Sequence, residues 1–161
     1  MVGPITTFNL KTARKTNTAK PAKSLVKFIC YPEAHKFSTA ATRWGCKHEG
    51  RARKAYQTEI NQFHKSLTIS DSSLNIDPRW PYLGASADGI VDCRCCGIGV
   101  SGIKCPYTHK DSTIAEAAGQ NNFSLKKDEF GKVHLDKSRA YYHLAQSQIF
   151  ICGVEYCDFV V

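Results

Sequence analysis

The stretch LGASADGIVDCRCCGIGVSGIKCPY, residues 83–107, constrains the fold more than any other part of the chain. Its length and layout predict two antiparallel strands joined by a cysteine-rich turn. A turn centred near Cys96 would place Asp88 opposite Lys104. Because side chains alternate along a strand, Gly102 and Lys104 share a face. The pattern therefore brings Asp88, Gly102 and Lys104 together.

A long helix is predicted before this stretch, because small, apolar and aromatic residues recur at steps of three and four from Ser38 to about His64. Ser38 is the expected N-cap. Glu49 lies within the apolar stripe, where a carboxylate must be paired or face a polar cleft. Glu49 is therefore a candidate site residue, and the alternative is an ion pair with Arg53 four residues later.

The rest of the chain predicts shorter elements and one main domain. Residues 1–23 are expected to form a basic mobile segment, and residues 24–161 a single α/β domain with a small mixed sheet between helices. Residues 107–138 are expected to be loop-like, apart from one short helix. The remaining predictions are a short helix or buried turn over 24–31, helices over 113–119 and 138–153, and strands over 66–70, 73–76 and 154–161.

The charge balance indicates a polyanionic partner. Lys and Arg number 22 against 14 Asp and Glu, a net charge of +8 that favours nucleic acid first. The chain has no apolar run long enough to span a membrane, and its first residues lack the apolar core of a secretory signal. We therefore expect an intracellular protein, in the nucleus or the cytoplasm, with no membrane partner and mostly reduced cysteines.

A metal-dependent phosphodiesterase site needs a strand aspartate, a carboxylate-x-lysine pair on the partner strand and a glutamate on a flanking helix. In this chain the corresponding residues would be Asp88, the pair ending at Lys104, and Glu49. Carboxylates hold Mg²⁺ or Mn²⁺, because these hard ions prefer oxygen ligands. The metal activates water and neutralises charge on the scissile phosphate, while a lysine stabilises the transition state. Position 102, where the second carboxylate is needed, holds glycine.

Four segments resemble one protein family in their motifs, order and separation. They are WGCKHEGRARKAY (44–56), LGASADGIVDC (83–93), GIKCPY (102–107) and YYHLAQSQIF (141–150). They are similar to the YqaJ-like viral recombinases, the phage lambda-type exonuclease branch of the PD-(D/E)XK nucleases. The resemblance implies a restriction-endonuclease-like core and Mg²⁺-dependent hydrolysis of DNA from duplex ends. Whether copies of the chain form a homo-oligomer, such as the ring of the phage branch, stays open.

The resemblance also implies roles for matching residues. Glu49 matches the glutamate of the family's WG-x-x-x-E helix, near the metal and the cleaved phosphate, and direct contact with the metal stays open for it. Asp88 matches a metal-binding aspartate, and the backbone carbonyl of Ile103 would be a further metal ligand. Lys104 would support the nucleophile. Gln146 matches a glutamine of the family's Q-x-Q helix, which borders the active site.

Further candidates are tied less closely to a motif. Gln148 is the second glutamine of the same helix. Candidate DNA contacts are Arg14, Lys15, Arg43 and Ser86.

The chain departs from the family pattern in two places. Gly102 replaces the glutamate of the E-x-K block, so one metal-binding carboxylate is missing and cleavage is expected to be impaired. Asp92 is a candidate substitute, because it lies four residues after Asp88 on the same strand face. Residues 4–8 only echo the family's N-terminal phosphate-binding block, and the domain is expected to be truncated at its C-terminal end. The competing class is an inactive DNA-binding module with the nuclease fold.

Four cysteines surround the predicted hairpin, namely Cys93, Cys95, Cys96 and Cys105. Four thiols suit zinc, which would make the chain a basic zinc-binding interaction domain. The C-x-C-C spacing differs from a zinc knuckle, and Cys105 falls at the far end of the hairpin from the turn. An iron–sulfur cluster is disfavoured by the lack of a C-x₂-C run. We expect these thiols to pack in or beside the hairpin.

Overall fold

The structure is a computed structural model that describes residues 4–31 and 38–161. It contains helices and small mixed sheets, which confirms the predicted α/β class. The helices are α1 (Thr7–Lys15), α2 (Lys23–Cys30), α3 (Ala40–Ile60), α4 (Ile114–Ala117) and α5 (Ala140–Cys152), with a short 3₁₀ turn at Tyr107–His109. The strands are β1 (Ile5–Thr6), β2 (Thr68–Ser70), β3 (Leu74–Ile76), β4 (Leu83–Ser86), β5 (Gly89–Cys93), β6 (Gly97–Ile103), β7 (Leu125–Lys127), β8 (Val133–Leu135) and β9 (Cys157–Val160).

The central sheet has the strand order β2-β5-β6-β9. Strands β2, β5 and β6 pair antiparallel, whereas β9 returns parallel to β6. Strand β6 is its most buried member, and Val100 there and Val91 on β5 are fully shielded from solvent. Burial of these apolar side chains supplies the main driving force for closing the sheet. The predicted small mixed sheet is confirmed.

The predicted hairpin forms as β5 and β6, but its register differs from the expected one by two residues. Gly89 pairs with Ser101 and Cys93 with Gly97, so the turn is centred on Cys95. Gly97 has a φ of +77°, in the left-handed region that glycine enters without strain, and it closes this tight turn. Sequence alone misplaced the turn because the glycine is its last residue and not its centre. Continued by one residue, the pairing brings Asp88 opposite position 102.

The long predicted helix is confirmed as α3, which begins one residue later than expected. Thr39 and not Ser38 is the N-cap, and its hydroxyl accepts a hydrogen bond from the Thr42 amide at 3.1 Å. The helix is joined to the far edge of the central sheet by the Tyr56 hydroxyl, which donates to the Asp158 carboxylate on β9 at 2.5 Å. This bond fixes the helix that carries Glu49.

The N-terminal region takes part in the fold from residue 4 onward. Strand β1 pairs parallel with β4, and α1 packs against α5. The sequence predicted a mobile segment here because α1 buries polar Thr7 and Asn9 and lacks an apolar stripe. Residues 1–3 of the predicted segment lie outside the described residues. Helix α1 therefore lies against α5, and the division of the chain at residue 23 stays a prediction.

The region expected to be loop-like contains the β7–β8 hairpin. Its turn is held by the Asp128 carboxylate, which accepts from the amides of Phe130 at 3.0 Å and Lys132 at 2.8 Å. Leu125 and Val133 pack against a small buried cluster at Phe123. Strands of three residues, with polar neighbours on both sides, are too short to give a readable alternation. The other predicted helices and strands are confirmed, and Gly153 ends α5 with a φ of +66°.

Replacement of Tyr56 by Phe should lower the free energy of unfolding by about 1.5 kcal/mol, because the partly buried hydrogen bond to a carboxylate is lost. Urea unfolding at neutral pH measures this change. Tyr82→Phe, at an exposed tyrosine, is the matched control and should leave the free energy of unfolding unchanged. Equal stability of both variants would contradict the assigned role of Tyr56.

The same pair predicts a loss of stability in alkali. Burial, and then the hydrogen bond to Asp158, raise the pKa of Tyr56 well above its ordinary value of 10.0. The unfolded chain therefore releases this proton before the folded chain does, so the contribution is complete below pH 10 and falls as the pH rises further. In a urea titration repeated at rising pH, the alkaline loss should be smaller for Tyr56→Phe than for the parent chain.

Candidate functional site

The site forms where β4 gives way to β5 and where β6 ends. Asp88 lies in the short connection between β4 and β5. Its amide donates to the Ser101 carbonyl at 2.9 Å, which extends the β5–β6 pairing to the aspartate. The Asp88 carboxylate oxygen Oδ2 accepts from the Ile103 amide at 2.6 Å and from Lys104 Nζ at 2.7 Å. The predicted convergence of Asp88 and Lys104 is thus present, although the register that produces it differs.

Lys104 is held between two oxygens. Its ammonium also donates to the Ile103 carbonyl at 2.8 Å and lies 6.0 Å from the centre of the Tyr141 ring. Asp88 and Lys104 keep 22% and 24% of their side-chain surface exposed, so the pair is half-buried yet reachable from solvent. A cation consequently already sits at the point where the carboxylate and the carbonyl meet.

Glu49 faces the same region from α3. It lines a cleft of about 470 Å³ together with Ile103, Lys104 and Cys105. Burial, followed by the charge of Glu49, raises the pKa of the Cys105 thiol in this cleft. Sequence analysis placed Glu49 in a polar cleft or in an ion pair, and the structure has both.

Arg53 is the residue that the site analysis from sequence missed. Its guanidinium lies 3.5 Å from Glu49 and hydrogen-bonds both the Asp71 carboxylate and the backbone carbonyl of Asp88. One side chain thereby orients the helix glutamate and the loop that carries the aspartate. The four-residue spacing from Glu49 was visible in the sequence, whereas the contact with Asp88 needs the tertiary fold.

Position 102 differs from the other glycines of this sheet. A Cβ atom at Gly99 would lie 2.3 Å from the Tyr156 ring, and one at Gly89 would lie 2.8 Å from a side-chain atom of Ile69, so packing excludes side chains there. At Gly102 the nearest atom would be Gln148 Oε1 at 3.7 Å, an ordinary contact. Local packing therefore does not require glycine at the position of the missing carboxylate.

The two glutamines of α5 lie on different faces. Gln148 is 2% exposed, donates to the Ser86 carbonyl at 3.1 Å and stands beside position 102. Gln146 is exposed and lines a separate groove between α1 and α5, together with Arg14 and Lys15. The structure therefore brings Gln148, and not Gln146, to the Asp88 and Gly102 region.

The remaining candidates lie at varying distances from this centre. Asp92 is exposed on β5, where it pairs with Ile98 near the turn. It lies four positions after Asp88, about 13 Å away along the strand. It is not brought to position 102. Arg43 is exposed on the first turn of α3, where it donates to the Ser38 carbonyl at 3.2 Å. Ser86 is exposed at the end of β4.

The donors present fit one hard divalent ion. Asp88 Oδ2 and the Ile103 carbonyl face a single point, which Lys104 Nζ now occupies as a cationic group. Mg²⁺ is commonly held by one or two carboxylates, with water and substrate phosphate completing its octahedron. Asp88 and Ile103 supply two oxygens, and Glu49 is the nearby acidic group across the cleft. Gly102 adds none.

The small mixed sheets flanked by helices, with Asp88 and Lys104 at the end of the β5–β6 hairpin, are consistent with a restriction-endonuclease-like fold. The sequence profile of the YqaJ-like viral recombinase domain matches residues 5–151. The chain belongs to this family. Among curated proteins, none matches the chain.

Solved structures support the same fold. LHK-Exo in complex with dAMP aligns with a TM-score of 0.64 at 23% identity, covering 98% of this chain and 68% of that one. A second structure of this alkaline exonuclease, from Laribacter hongkongensis, aligns with a TM-score of 0.58 at 21% identity and the same coverage. Within residues 4–31 and 38–161, no helix is both long and apolar enough to cross a membrane.

Replacement of Arg53 by Met should lower the free energy of unfolding by about 2 kcal/mol, because the charged hydrogen bond to the Asp88 carbonyl and the link to Glu49 are lost together. Arg51→Met, two residues away at an exposed position of the same helix, is the matched control. Chemical denaturation compares the two variants. An equal effect of both would contradict a special role of Arg53.

Proposed function

We propose that this chain binds duplex DNA ends in the cleft beside Glu49 and hydrolyses DNA phosphodiesters with Mg²⁺ or Mn²⁺, at a rate impaired by Gly102. The family is one of DNA exonucleases, and the observation that carries the proposal for this chain is the contact of Lys104 with both Asp88 and the Ile103 carbonyl. The proposal includes an intracellular place of action, in the nucleus or the cytoplasm. Assembly into a homo-oligomer is left to measurement of the mass in solution.

The residues would divide the work by their chemistry. Asp88 and the Ile103 carbonyl would hold the ion, which when bound supplies an activated water and neutralises phosphate charge. Lys104 is aimed at the same point and would stabilise negative charge that develops on the phosphate. Glu49, which Arg53 holds in place, would assist the reaction from the wall of the cleft. Gln148 would position the β4 end through its bond to Ser86.

The alternative is a DNA-binding module without cleavage. The observation that favours it is Gly102, because loss of one of two carboxylates weakens the hold on the metal and on the water that the metal positions. The basic groove between α1 and α5, lined by Lys11, Arg14 and Lys15, would serve DNA binding in either case. Cleavage and binding therefore have to be measured separately.

Substitution of Gly102 by Glu should raise the rate of degradation of linear duplex DNA by on the order of a hundredfold, because it adds the missing carboxylate where a Cβ has room. Release of nucleotides with Mg²⁺ or Mn²⁺ measures this rate. Gly102→Gln is the matched control, since it has the same size without the charge, and it should stay near the parent rate.

The outcomes separate the two functions. Equal degradation by the parent chain and the Gly102→Glu variant would contradict the site as described. If neither cleaves but both bind DNA, the non-catalytic module is the function. Asp88→Asn in the Gly102→Glu background should abolish any gained activity, which ties that activity to this site and not to a contaminating nuclease.

The basic groove gives an independent prediction. The double change Arg14→Ala and Lys15→Ala should weaken DNA binding and reduce the salt slope of log K by about 1.8, if each side chain neutralises one phosphate. Fluorescence anisotropy over a range of salt concentrations measures both quantities. Lys127→Ala with Lys132→Ala, on the β7–β8 hairpin, removes equal charge elsewhere and should leave the slope nearly unchanged. Equal slopes for the two double variants would place the DNA elsewhere.

A further inference from the structure

Three cysteines and a histidine converge at the end of the β5–β6 hairpin that is remote from Asp88. His64, Cys93, Cys95 and Cys96 place one ligand atom each within 4.8 Å of one another. Cys105, which the sequence grouped with these thiols, lies instead in the cleft beside Glu49. The expectation of unrelated packing thiols therefore needs revision, because a histidine 29 residues before Cys93 completes the set.

Hydrogen bonding does not account for this convergence. The three sulfur atoms of Cys93, Cys95 and Cys96 lie 3.5, 3.3 and 3.3 Å from the same nitrogen, His64 Nδ1. One ring nitrogen has a single donor or a single acceptor function, so it can satisfy only one of the three thiols. The arrangement is instead that of ligands facing a common centre.

The distances suit a tetrahedral ion. Zinc bonds of about 2.3 Å to sulfur and about 2.0 Å to nitrogen give edges of about 3.8 Å between sulfurs and about 3.6 Å between sulfur and nitrogen. The sulfur–nitrogen distances of 3.3 to 3.5 Å and the Cys95–Cys96 distance of 3.7 Å agree with these edges. The Cys93–Cys95 distance of 3.1 Å would have to open by about 0.7 Å.

We propose that His64, Cys93, Cys95 and Cys96 bind one structural Zn²⁺ that joins the end of α3 to the tip of the β5–β6 hairpin. Soft thiolates and an imidazole select zinc over the hard ions of a nuclease site. The 4.8 Å span holds a single ion, whereas the cysteine ligands of an iron–sulfur cluster lie farther apart. All eight cysteines are unpaired in the structure, so the thiols are available.

The turn is built in a way that holds its ligands. The Arg94 amide donates to the Lys65 carbonyl at 3.2 Å, which ties the hairpin tip to the segment that carries His64. Cys93 is buried, whereas Cys95 and Cys96 are exposed, so an ion could enter from solvent.

The proposed ion would act on the fold and not in the reaction. Cys93 lies five positions after Asp88, about 17 Å away along β5. None of the residues of α3, which carries Glu49, is buried. The helix is held to the sheet by Ile60, which packs against the cluster around Val91, and by the hydrogen bond between Tyr56 and Asp158. A zinc bridge beyond its C-terminal end would add a fixed point there.

The metal content of the full chain tests the proposal. After expression with added zinc and dialysis against metal-free buffer, elemental analysis should find one zinc per chain. Replacement by Co²⁺ should give the intense visible absorption of a tetrahedral thiolate site. Cys95→Ser with Cys96→Ser should lower zinc affinity by on the order of a hundredfold or more, whereas Cys46→Ser, at an exposed cysteine outside the cluster, should retain one zinc.

Three results would overturn the proposal. They are a parent chain without stoichiometric zinc, zinc retained by the folded double variant, and iron or disulfides found at these cysteines. The first and third results are measured on the parent chain. They can therefore contradict the proposal even if the double variant fails to fold. Removal of zinc by a chelator such as EDTA should also lower the melting temperature of the parent chain. The same treatment should leave the melting temperature of a folded double variant unchanged.

Discussion

The pairing of β5 with β6 is the constraint on which the rest of the structure depends. It buries Val91 and Val100 at the centre of the sheet and extends to the bond between the Asp88 amide and the Ser101 carbonyl. Since side chains alternate along a strand, a slip of one residue would turn Asp88 away from Lys104 and expose the apolar face. Core packing and the candidate site therefore require the same register, and neither can change alone.

The charges around Asp88 explain why the folded chain does not need a second carboxylate at position 102. A second carboxylate beside Asp88 would need a compensating cation, whereas with Gly102 the Lys104 ammonium alone balances the aspartate. Under the proposed function, the missing carboxylate also weakens metal binding, so the glycine that avoids like-charge repulsion is the residue that we expect to impair the reaction.

The sequence predicted the fold class, the long helix and most short elements, because these depend on local periodicity and on glycine at chain turns. It also grouped Asp88, Gly102 and Lys104, since period-2 alternation survives an error of two residues in the turn. It missed the Arg53 bridge to Asp88 and the partnership of His64 with three cysteines, because both join elements that are distant in the chain. Helix α1 escaped prediction because its buried residues are polar.

The affinity of the proposed site at Asp88 for Mn²⁺ tests the central claim, that position 102 limits metal binding, without requiring cleavage. Calorimetric titration of the zinc-loaded chain, to keep the thiol cluster out of the measurement, should show weak Mn²⁺ binding. The Gly102→Glu variant should bind at least about tenfold more tightly, and Asp88→Asn in that background should remove the gain. Equal affinity of the parent chain and the Gly102→Glu variant would contradict the account.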